Sequence, residues 1–256
     1  GITIPSSVTS IGGSAFQGCT ALATVTFEAN SQLASIGDEA FYNCSALTSI
    51  TIPSSVTSIG GETFNYCANL ESINVDNNNT QYKSIDGNLY SKDGTKFLQY
   101  CMGKKDTSFI LPTSVTSIGY RAFYDCSSLT SITIPSKVTS IGDYAFFGCT
   151  KLATVTFEPN SQLTSIGYRA FDGCTSLASV TIPSSVTSIG GYAFQDCTKL
   201  AIVKILRADL PIISLGSSAF SNCHASLQIQ VPNGVLNDYK TGAYWSNYSA
   251  KMVGYN

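Results

Sequence analysis

The side chains with the most obvious chemical potential are nine cysteines, eight of which recur at one position of a repeated phrase. In each copy the cysteine follows a phenylalanine by three residues, as in "AFQDC" at residues 193–197. Stacking such copies as parallel strands would hold neighbouring Cβ atoms about 4.8 Å apart, beyond the roughly 3.5–4.5 Å of a disulfide. The spacing therefore favours free, buried thiols that fill the interior, with disulfide bonds as the alternative.

The residue types in the sequence do not predict a metal site or a catalytic site. No Cys-x-x-Cys pair exists, and His224 is the sole histidine. A catalytic cysteine would need His224 as its base, and the cysteine next to it in sequence is Cys223. Adjacent side chains usually point apart, and no nearby carboxylate is placed to orient the imidazole ring. No paired-carboxylate constellation or phosphate-cradling glycine loop is present. We expect no catalytic residue, no metal, no cofactor and no enzyme activity.

A phenylalanine recurs at intervals of 23 to 26 residues, apart from one interval of 59 that equals 23 plus an insertion of 36. A glycine precedes each of these phenylalanines by four residues. The eight are Phe16, Phe41, Phe64, Phe123, Phe146, Phe171, Phe194 and Phe220. Residues 2–70 also match residues 132–200 at a constant offset of 130, including the longer phrases "EANSQ" and "EPNSQ". This regular spacing predicts structural repeats that stack one on another along a single axis.

Each part of the phrase has a predicted structural role. In "LTSITIP" at residues 47–53, apolar residues at period two predict a strand with one buried face. Pro53 ends the strand, and Gly60 permits either positive φ or close backbone approach at a corner. The next four residues predict a short helical turn that places Phe64 in the core. The predicted fold is an α/β repeat: a right-handed, curved solenoid with one parallel β-sheet face and short helical turns.

The phrase "LxxIxIPxxVTxIGxxAFxxC" is similar to the BspA-like, or Treponema-type, leucine-rich repeat. Residues 84–105 resemble the hairpin-bearing repeat of that family, and residues 231–248 resemble its C-terminal cap. The resemblance implies a leucine-rich-repeat solenoid over residues 1–231, with a non-standard insertion at 76–107, and a cap at 232–256. It also implies an exported or cell-surface protein that binds host extracellular or surface proteins or glycans. A structural spacer that displays other domains is the alternative.

Charge and hydropathy narrow the range of partners. The net charge is −2 and only 12% of residues are charged, so no positive field favours nucleic acid or anionic lipid. No apolar run approaches the roughly 18 residues that span a bilayer. The chain opens inside a repeat, at "GITIP", so we expect an upstream segment that carries the export signal.

The best candidate binding residues lie directly after the repeat glycines in the second half of the chain. Tyrosine and arginine are enriched there, and both are favoured at protein interfaces. They are Tyr120, Arg121, Tyr144, Tyr168, Arg169 and Tyr192. The same positions in the first half include Asp38, Glu39 and Glu62. The row is predicted to be either a self-satisfied cation–π stack or an aromatic and basic recognition patch.

Two further surfaces are weaker candidates. The insertion carries Tyr82, Tyr90, Lys92 and Tyr100, which indicate either a ligand-binding tip or a solvated hairpin that turns at Asp93-Gly94. The outward strand positions are small and rich in hydroxyls, as at Thr156 and Thr181. Such a face offers hydrogen bonds to sugars or extended peptide but lacks the large anchors of a protein interface.

Overall fold

The computed structural model describes all 256 residues, Gly1–Asn256, and the chain divides into two units. Unit 1 is residues 1–105 and unit 2 is residues 106–256. The strands of unit 1 are β1 (Ile2–Ile4), β2 (Ser10–Ile11), β3 (Val25–Phe27), β4 (Ser35–Ile36), β5 (Ser49–Ile52), β6 (Ser58–Ile59), β7 (Ser72–Val75), β8 (Tyr82–Ile85), β9 (Asn88–Ser91) and β10 (Lys96–Gln99).

Unit 2 continues the pattern and contains the chain's helices. Its strands are β11 (Ser108–Ile110), β12 (Ser117–Ile118), β13 (Ser131–Ile134), β14 (Ser140–Ile141), β15 (Thr154–Phe157), β16 (Ser165–Ile166), β17 (Ser179–Ile182), β18 (Ser188–Ile189), β19 (Ile202–Ile205), β20 (Ser214–Leu215), β21 (Gln228–Pro232) and β22 (Met252–Tyr255). One α-helix, α1 (Leu236–Thr241), stands between 3₁₀ helices at Asn233–Val235 and Trp245–Lys251.

Equivalent strands of successive repeats pair in parallel within each unit, except that no ladder joins β3 to β5 or β15 to β17. Ile50 of β5 pairs with Ile73 of β7 in unit 1, and Ile132 of β13 pairs with Val155 of β15 in unit 2. A second short ladder joins β14 to β16, β18 and β20. Side chains alternate between exposed and buried along β5 and β17. The parallel stacking and the buried face of the repeat strand are therefore confirmed, which is the architecture of a leucine-rich-repeat solenoid.

The corner that carries the core phenylalanine differs from the prediction. The short helical turn expected there is wrong, because the segment is a run of tight turns with no helix. Two residues in each corner have positive φ, as at Arg169 (51°) and Gly173 (75°) on either side of Phe171. A right-handed helix needs negative φ at every residue, so these two positions exclude it.

Backbone hydrogen bonds between repeats hold this corner instead. In unit 2 the N–H groups of core phenylalanines donate to alanine carbonyls one repeat further on, at 2.7–2.8 Å: Phe146 to Ala170, Phe171 to Ala193 and Phe194 to Ala219. The corner thus behaves as a further parallel ladder, which satisfies backbone groups that would otherwise be buried without partners.

The repeat glycine is required by close backbone approach rather than by positive φ. A Cβ at Gly190 would lie 2.6 Å from the carbonyl carbon of Gly167 and from the amide nitrogen of Tyr168. Gly167 is crowded in the same way by Gly142 and Asp143. Because Gly167 and Gly190 lie against the preceding repeat, a side chain at either position would push two turns apart.

The phenylalanines form one row of stacked rings in each unit. In unit 1 the ring centroids are 5.2 Å apart for Phe16 and Phe41 and 5.9 Å apart for Phe41 and Phe64. In unit 2 the separations are 4.8–5.5 Å with interplanar angles of 3–11°, along Phe123, Phe146, Phe171, Phe194 and Phe220. The predicted core position of these rings is confirmed, and the rows run along the stacking direction of each unit.

The insertion folds as three antiparallel strands, with β9 between β8 and β10. The hairpin around Asp93-Gly94 links β9 to β10. A tighter one at Asp86-Gly87 links β8 to β9, where both residues have positive φ, at 49° and 73°. Two successive residues of positive φ match the twist of antiparallel strands. The Asp-Gly pair at residues 86–87 is a hairpin signal that the sequence itself carries.

Residues 232–256 cover the last repeat of unit 2. Tyr239 and Trp245 are buried, and the indole Nε1–H of Trp245 donates to the carbonyl of Ile213 at 2.7 Å. The Tyr248 hydroxyl accepts the N–H of Phe220 at 3.2 Å, and the rings of Phe220 and Trp245 lie 6.0 Å apart. These aromatic side chains shield the last ring of the row from solvent.

Candidate binding surface

The side chains in the row of cysteines form hydrogen bonds to the backbone of neighbouring repeats. In unit 2 the thiols donate to phenylalanine carbonyls of the preceding repeat at 3.0–3.2 Å: Cys149 to Phe123, Cys174 to Phe146 and Cys197 to Phe171. Seven of the nine cysteines are buried, Cys223 is half-buried and Cys19 is exposed, and all are free thiols. The sequence predicted small buried fillers, and the structure adds that they are also hydrogen-bond donors.

Burial makes these thiols chemically inert. It raises the pKa of Cys44 to about 11, and that of Cys67 and of Cys101 to about 12. Only the thiolate is a nucleophile or a metal ligand, and almost none forms at neutral pH when the pKa is this high. The buried cysteines therefore contribute to the core and offer no reactive site.

We expect a thiol reagent at pH 8 to modify Cys19 rapidly in the native protein and to reach the other eight cysteines only after denaturation. Spectroscopic titration with Ellman's reagent measures this modification, with Cys19→Ser as the control. Rapid modification of several thiols in the native protein would contradict the prediction.

Because folding raises the thiol pKa values, the folded state holds more protons than the unfolded state at alkaline pH. The free energy of unfolding is therefore expected to fall as pH rises from about 9 to about 12.

Cys223 and His224 do not form a catalytic pair. The thiol of Cys223 donates to the carbonyl of Phe194 at 3.2 Å, and burial raises its pKa. The His224 ring nitrogen Nδ1 lies 2.7 Å from the hydroxyl of Ser226 and accepts the Ser226 N–H at 3.2 Å. No group of three or more His, Cys, Asp or Glu side chains is arranged to hold a metal ion.

The structure brings the tyrosines and arginines of the second half together in unit 2. The six residues named from the sequence are hereafter the tyrosine–arginine ladder: Tyr120, Arg121, Tyr144, Tyr168, Arg169 and Tyr192. Its four rings pack edge to face in sequence order, with centroid distances of 6.0, 5.5 and 5.7 Å. Edge-to-face packing at this distance is the favoured geometry for aromatic pairs.

Each arginine lies against the rings of the ladder. The guanidinium carbon of Arg121 is 5.0 Å from the ring centroid of Tyr144 and 4.6 Å from that of Tyr124. The corresponding carbon of Arg169 is 4.8 Å from the centroid of Tyr192. Distances below about 6 Å give cation–π attraction, so both arginines make cation–π contacts within the row.

Asp172 forms an ion pair with Arg169 of the ladder. This residue was not predicted from the sequence. One oxygen of its carboxylate accepts a hydrogen bond from Nη1 of Arg169 at 2.9 Å, while Nε of Arg169 donates to the Tyr168 hydroxyl at 3.2 Å. Asp172 is buried, and burial raises its pKa to about 6 despite the attraction of Arg169. The spacing of three residues between Arg169 and Asp172 was the available signal.

The ladder is ordered but remains open to solvent. Tyr120 is 47% exposed and Tyr168 is 37% exposed. The residues at the second position after the repeat glycine also have positive φ, as at Tyr144 (56°) and Tyr192 (57°), which fixes their direction from the backbone. The arrangement presents a preorganised row of phenol edges, in which both arginines are held by neighbouring rings and Arg169 is also held by Asp172.

The tyrosines of the insertion are placed differently from the prediction of a binding tip. Tyr90 is 1% exposed and Tyr100 is 2% exposed, so both belong to the core of unit 1. The Tyr82 hydroxyl accepts the N–H of Ile59 at 3.0 Å, which also gives it a structural role. Lys92 is exposed, and its Nζ donates to the carbonyl of Asn77 at 3.1 Å. Buried rings cannot contact a ligand, so Tyr90 and Tyr100 fit neither the ligand-binding tip nor the solvated hairpin.

Comparison with known proteins agrees with this architecture. The chain matches the family described as BspA type Leucine rich repeat region, in six copies over residues 1–101, 95–225 and 159–252. It therefore belongs to the BspA-type leucine-rich-repeat family. No match was found among curated protein sequences.

Three solved structures are similar over most of the chain. The pneumococcal vaccine antigen PcpA is 25% identical with a TM-score of 0.80, over 100% of this chain and 66% of that chain. A leucine-rich cell surface protein of Faecalibacterium prausnitzii is 32% identical with a TM-score of 0.76, over 99% of this chain and 62% of that chain. A leucine-rich repeat protein of Eubacterium ventriosum is 26% identical with a TM-score of 0.63, over 90% and 77%. The chain thus spans about two thirds of the first two.

Proposed function

We propose that this chain is a non-catalytic protein-binding module of an exported or cell-surface protein, and that the tyrosine–arginine ladder is its contact surface. The observation that carries the proposal is the prearranged row of four tyrosines and two arginines on unit 2, in which Tyr120 and Tyr168 are exposed and the other four side chains are half-buried. Relatives described as a vaccine antigen and a cell surface protein support the location.

The physical case rests on preorganisation. Tyrosine offers a large apolar ring with a polar tip, and a ring already held by its neighbours loses little conformational entropy when a partner docks. Arg169 is fixed by Tyr168, Tyr192 and Asp172 before any partner arrives. Partners that present aromatic rings and hydrogen-bond acceptors fit this surface best.

The proposal includes the finer architecture implied by the family. We place a right-handed, curved solenoid over residues 1–231, with its non-standard insertion at 76–107, and a cap at 232–256. The antiparallel strands β8–β10 support the insertion, and the burial of Tyr239 and Trp245 against the last repeat supports the cap.

We expect the double variant Tyr120→Ala/Tyr168→Ala to weaken binding to a partner protein by about 30-fold, equivalent to the roughly 2 kcal/mol of an interface hot spot. Both rings are substantially exposed, so their removal leaves the core intact. The measurement is biolayer interferometry of the chain against a panel of extracellular-matrix and plasma proteins, followed by titration of each saturable hit.

The matched control is Tyr244→Ala/Lys240→Ala, which removes an exposed tyrosine and a cation from residues 232–256 without touching the ladder. Its affinity should equal that of the unmodified chain. Equal weakening by both double variants would refute the ladder as the contact surface. Failure of every panel protein to bind would favour the spacer.

A further inference from the structure

The parallel sheet is interrupted at the same place in both units. In unit 1, β3 pairs only with β1 and β5 only with β7, and one isolated bridge, Thr24 to Ser49, joins the two sheets. In unit 2, β15 pairs only with β13, and β17 pairs only with β19. Each interruption follows one of the longer phrases, "EANSQ" at 28–32 and "EPNSQ" at 158–162. These phrases hold five residues where the 23-residue repeats hold three, such as Pro53-Ser54-Ser55.

A cleft lies over each interruption. The unit 1 cleft measures about 530 Å³ and the unit 2 cleft about 460 Å³, both within the range of small-ligand sites. In unit 2 the walls include Phe157 at the end of β15 and Glu158 and Ser161 of the long phrase, and the floor includes Thr156 and Thr181. Every residue lining the unit 1 cleft except Asn78 has its counterpart, 130 positions later, in the lining of the unit 2 cleft.

The long phrase is held rigidly against the preceding repeat in both clefts. Oε2 of Glu28 accepts the N–H of Ser6 at 2.8 Å, and Oε2 of Glu158 accepts the N–H of Ser136 at 2.9 Å. The N–H of Gln162 donates to the carbonyl of Ser136 at 2.8 Å. Two independent copies of the sequence thus build the same wall with the same hydrogen bonds, so the clefts exist before any ligand binds.

The floor of each cleft is suited to a ligand that both donates and accepts hydrogen bonds. No ladder joins β15 to β17, so backbone groups on their facing edges are not used in sheet pairing. Thr156 and Thr181 add hydroxyls, and half-buried Phe157 adds a ring at the wall. Saccharides combine many hydroxyls with apolar C–H faces that pack on such rings.

An added peptide strand fits this gap poorly. Cα atoms of β15 and β17 lie within 8 Å of one another, whereas a strand inserted between them needs about 4.8 Å on each side. We propose that the two clefts are saccharide-binding sites, each taking one or two neutral sugar residues. The proposal does not depend on the tyrosine–arginine ladder, since no ladder residue lines either cleft.

The two clefts differ at one wall, which gives them different preferences. Asp76 and Asn78 line the unit 1 cleft, and the position equivalent to Asp76 in unit 2 is Leu206, which is 40% exposed. A carboxylate and an amide there favour additional sugar hydroxyls. Leucine favours an apolar substituent, such as the methyl of an N-acetyl group. The unit 2 cleft is therefore the better site for N-acetylated sugars.

The test is NMR titration of the ¹⁵N-labelled chain with glucose, galactose, mannose, N-acetylglucosamine, lactose, cellobiose and chitobiose. At least one sugar should give saturable shifts at Thr156, Ser161 or Thr181, with a dissociation constant on the order of millimolar because the clefts are open on one side. The variant Thr156→Val/Thr181→Val keeps side-chain shape and should weaken unit 2 binding at least tenfold. Thr133→Val, on the same strand face but outside the cleft, should leave affinity unchanged.

A second variant replaces Glu158–Gln162 with Pro-Ser-Ser, the residues found at the same place in 23-residue repeats of this chain. It should abolish the unit 2 shifts while leaving those at Thr26 and Thr51 of the unit 1 cleft unchanged, which also shows that the chain remains folded. The proposal is overturned if no sugar gives saturable shifts up to tens of millimolar, or if the cleft variants bind as the unmodified chain does. Binding of a serine- and threonine-rich peptide instead of every sugar would overturn it as well.

Discussion

The variant Phe171→Ala is expected to lower the free energy of unfolding by about 3–5 kcal/mol. The ring of Phe171 is fully buried, and it stacks on Phe146 at 4.9 Å and on Phe194 at 5.2 Å. Its removal leaves a cavity between two repeats whose backbones are fixed by inter-repeat hydrogen bonds, so the site cannot collapse to fill it. Urea denaturation followed by circular dichroism measures the change.

The matched control is Phe16→Ala, which removes the same side chain from the equivalent repeat position. Phe16 is only half-buried and contacts one ring of its row, that of Phe41. Its loss should cost distinctly less than the loss of Phe171. Equal destabilisation by the two variants would show that the stacked row is not what makes the phenylalanine important.

The variant Gly190→Ala is expected to destabilise the chain by about 1–3 kcal/mol, although it adds only a methyl group. That methyl would lie 2.6 Å from backbone atoms of Gly167 and Tyr168, which cannot move without breaking the corner ladder. Gly12→Ala tests the same repeat position where no atom lies within 4 Å of the added Cβ. It should be neutral or stabilising by up to about 1 kcal/mol, because alanine restricts the unfolded chain.

Chemical denaturation of both glycine variants, measured side by side, decides whether close approach explains the glycine. A similar loss of stability in Gly12→Ala would point to backbone freedom at the corner instead. Full tolerance of Gly190→Ala would mean that the repeats do not approach as closely as the structure places them.

Much of the fold could be predicted because repetition averages out local ambiguity. A single "LTSITIP" is a weak strand signal, but the recurrence of the same pattern at a fixed spacing requires equivalent residues to lie in rows. The buried faces of β5 and β13, the phenylalanine rows and the buried cysteines followed from that requirement. The ladder tyrosines were also found in this way, since neighbouring repeats must place Tyr144 beside Tyr168.

The geometry of the corners and the burial of the insertion's tyrosines could not be predicted from the spacing of the repeats alone. The corners were predicted as helical turns because the Ala-Phe pair suits a helix, whereas positive φ at Arg169 and Gly173 rules one out. Gly, Asn or Asp at the second residue after the phenylalanine, in seven of eight copies, was the sign of this geometry. Tyr90 and Tyr100 lie outside the repeat phase, so nothing in the pattern revealed that they are buried.

The central claim is that equivalent side chains contact only their neighbours in adjacent repeats. Double-mutant cycles in the phenylalanine row of unit 2 test it most directly. The pair Phe146→Ala and Phe171→Ala, whose rings lie 4.9 Å apart, should show a coupling energy of about 0.5–1.5 kcal/mol. The pair Phe146→Ala and Phe194→Ala, separated by Phe171, should be additive to within about 0.5 kcal/mol. Equal coupling in the two pairs, or none in the adjacent pair, would contradict the stacked arrangement.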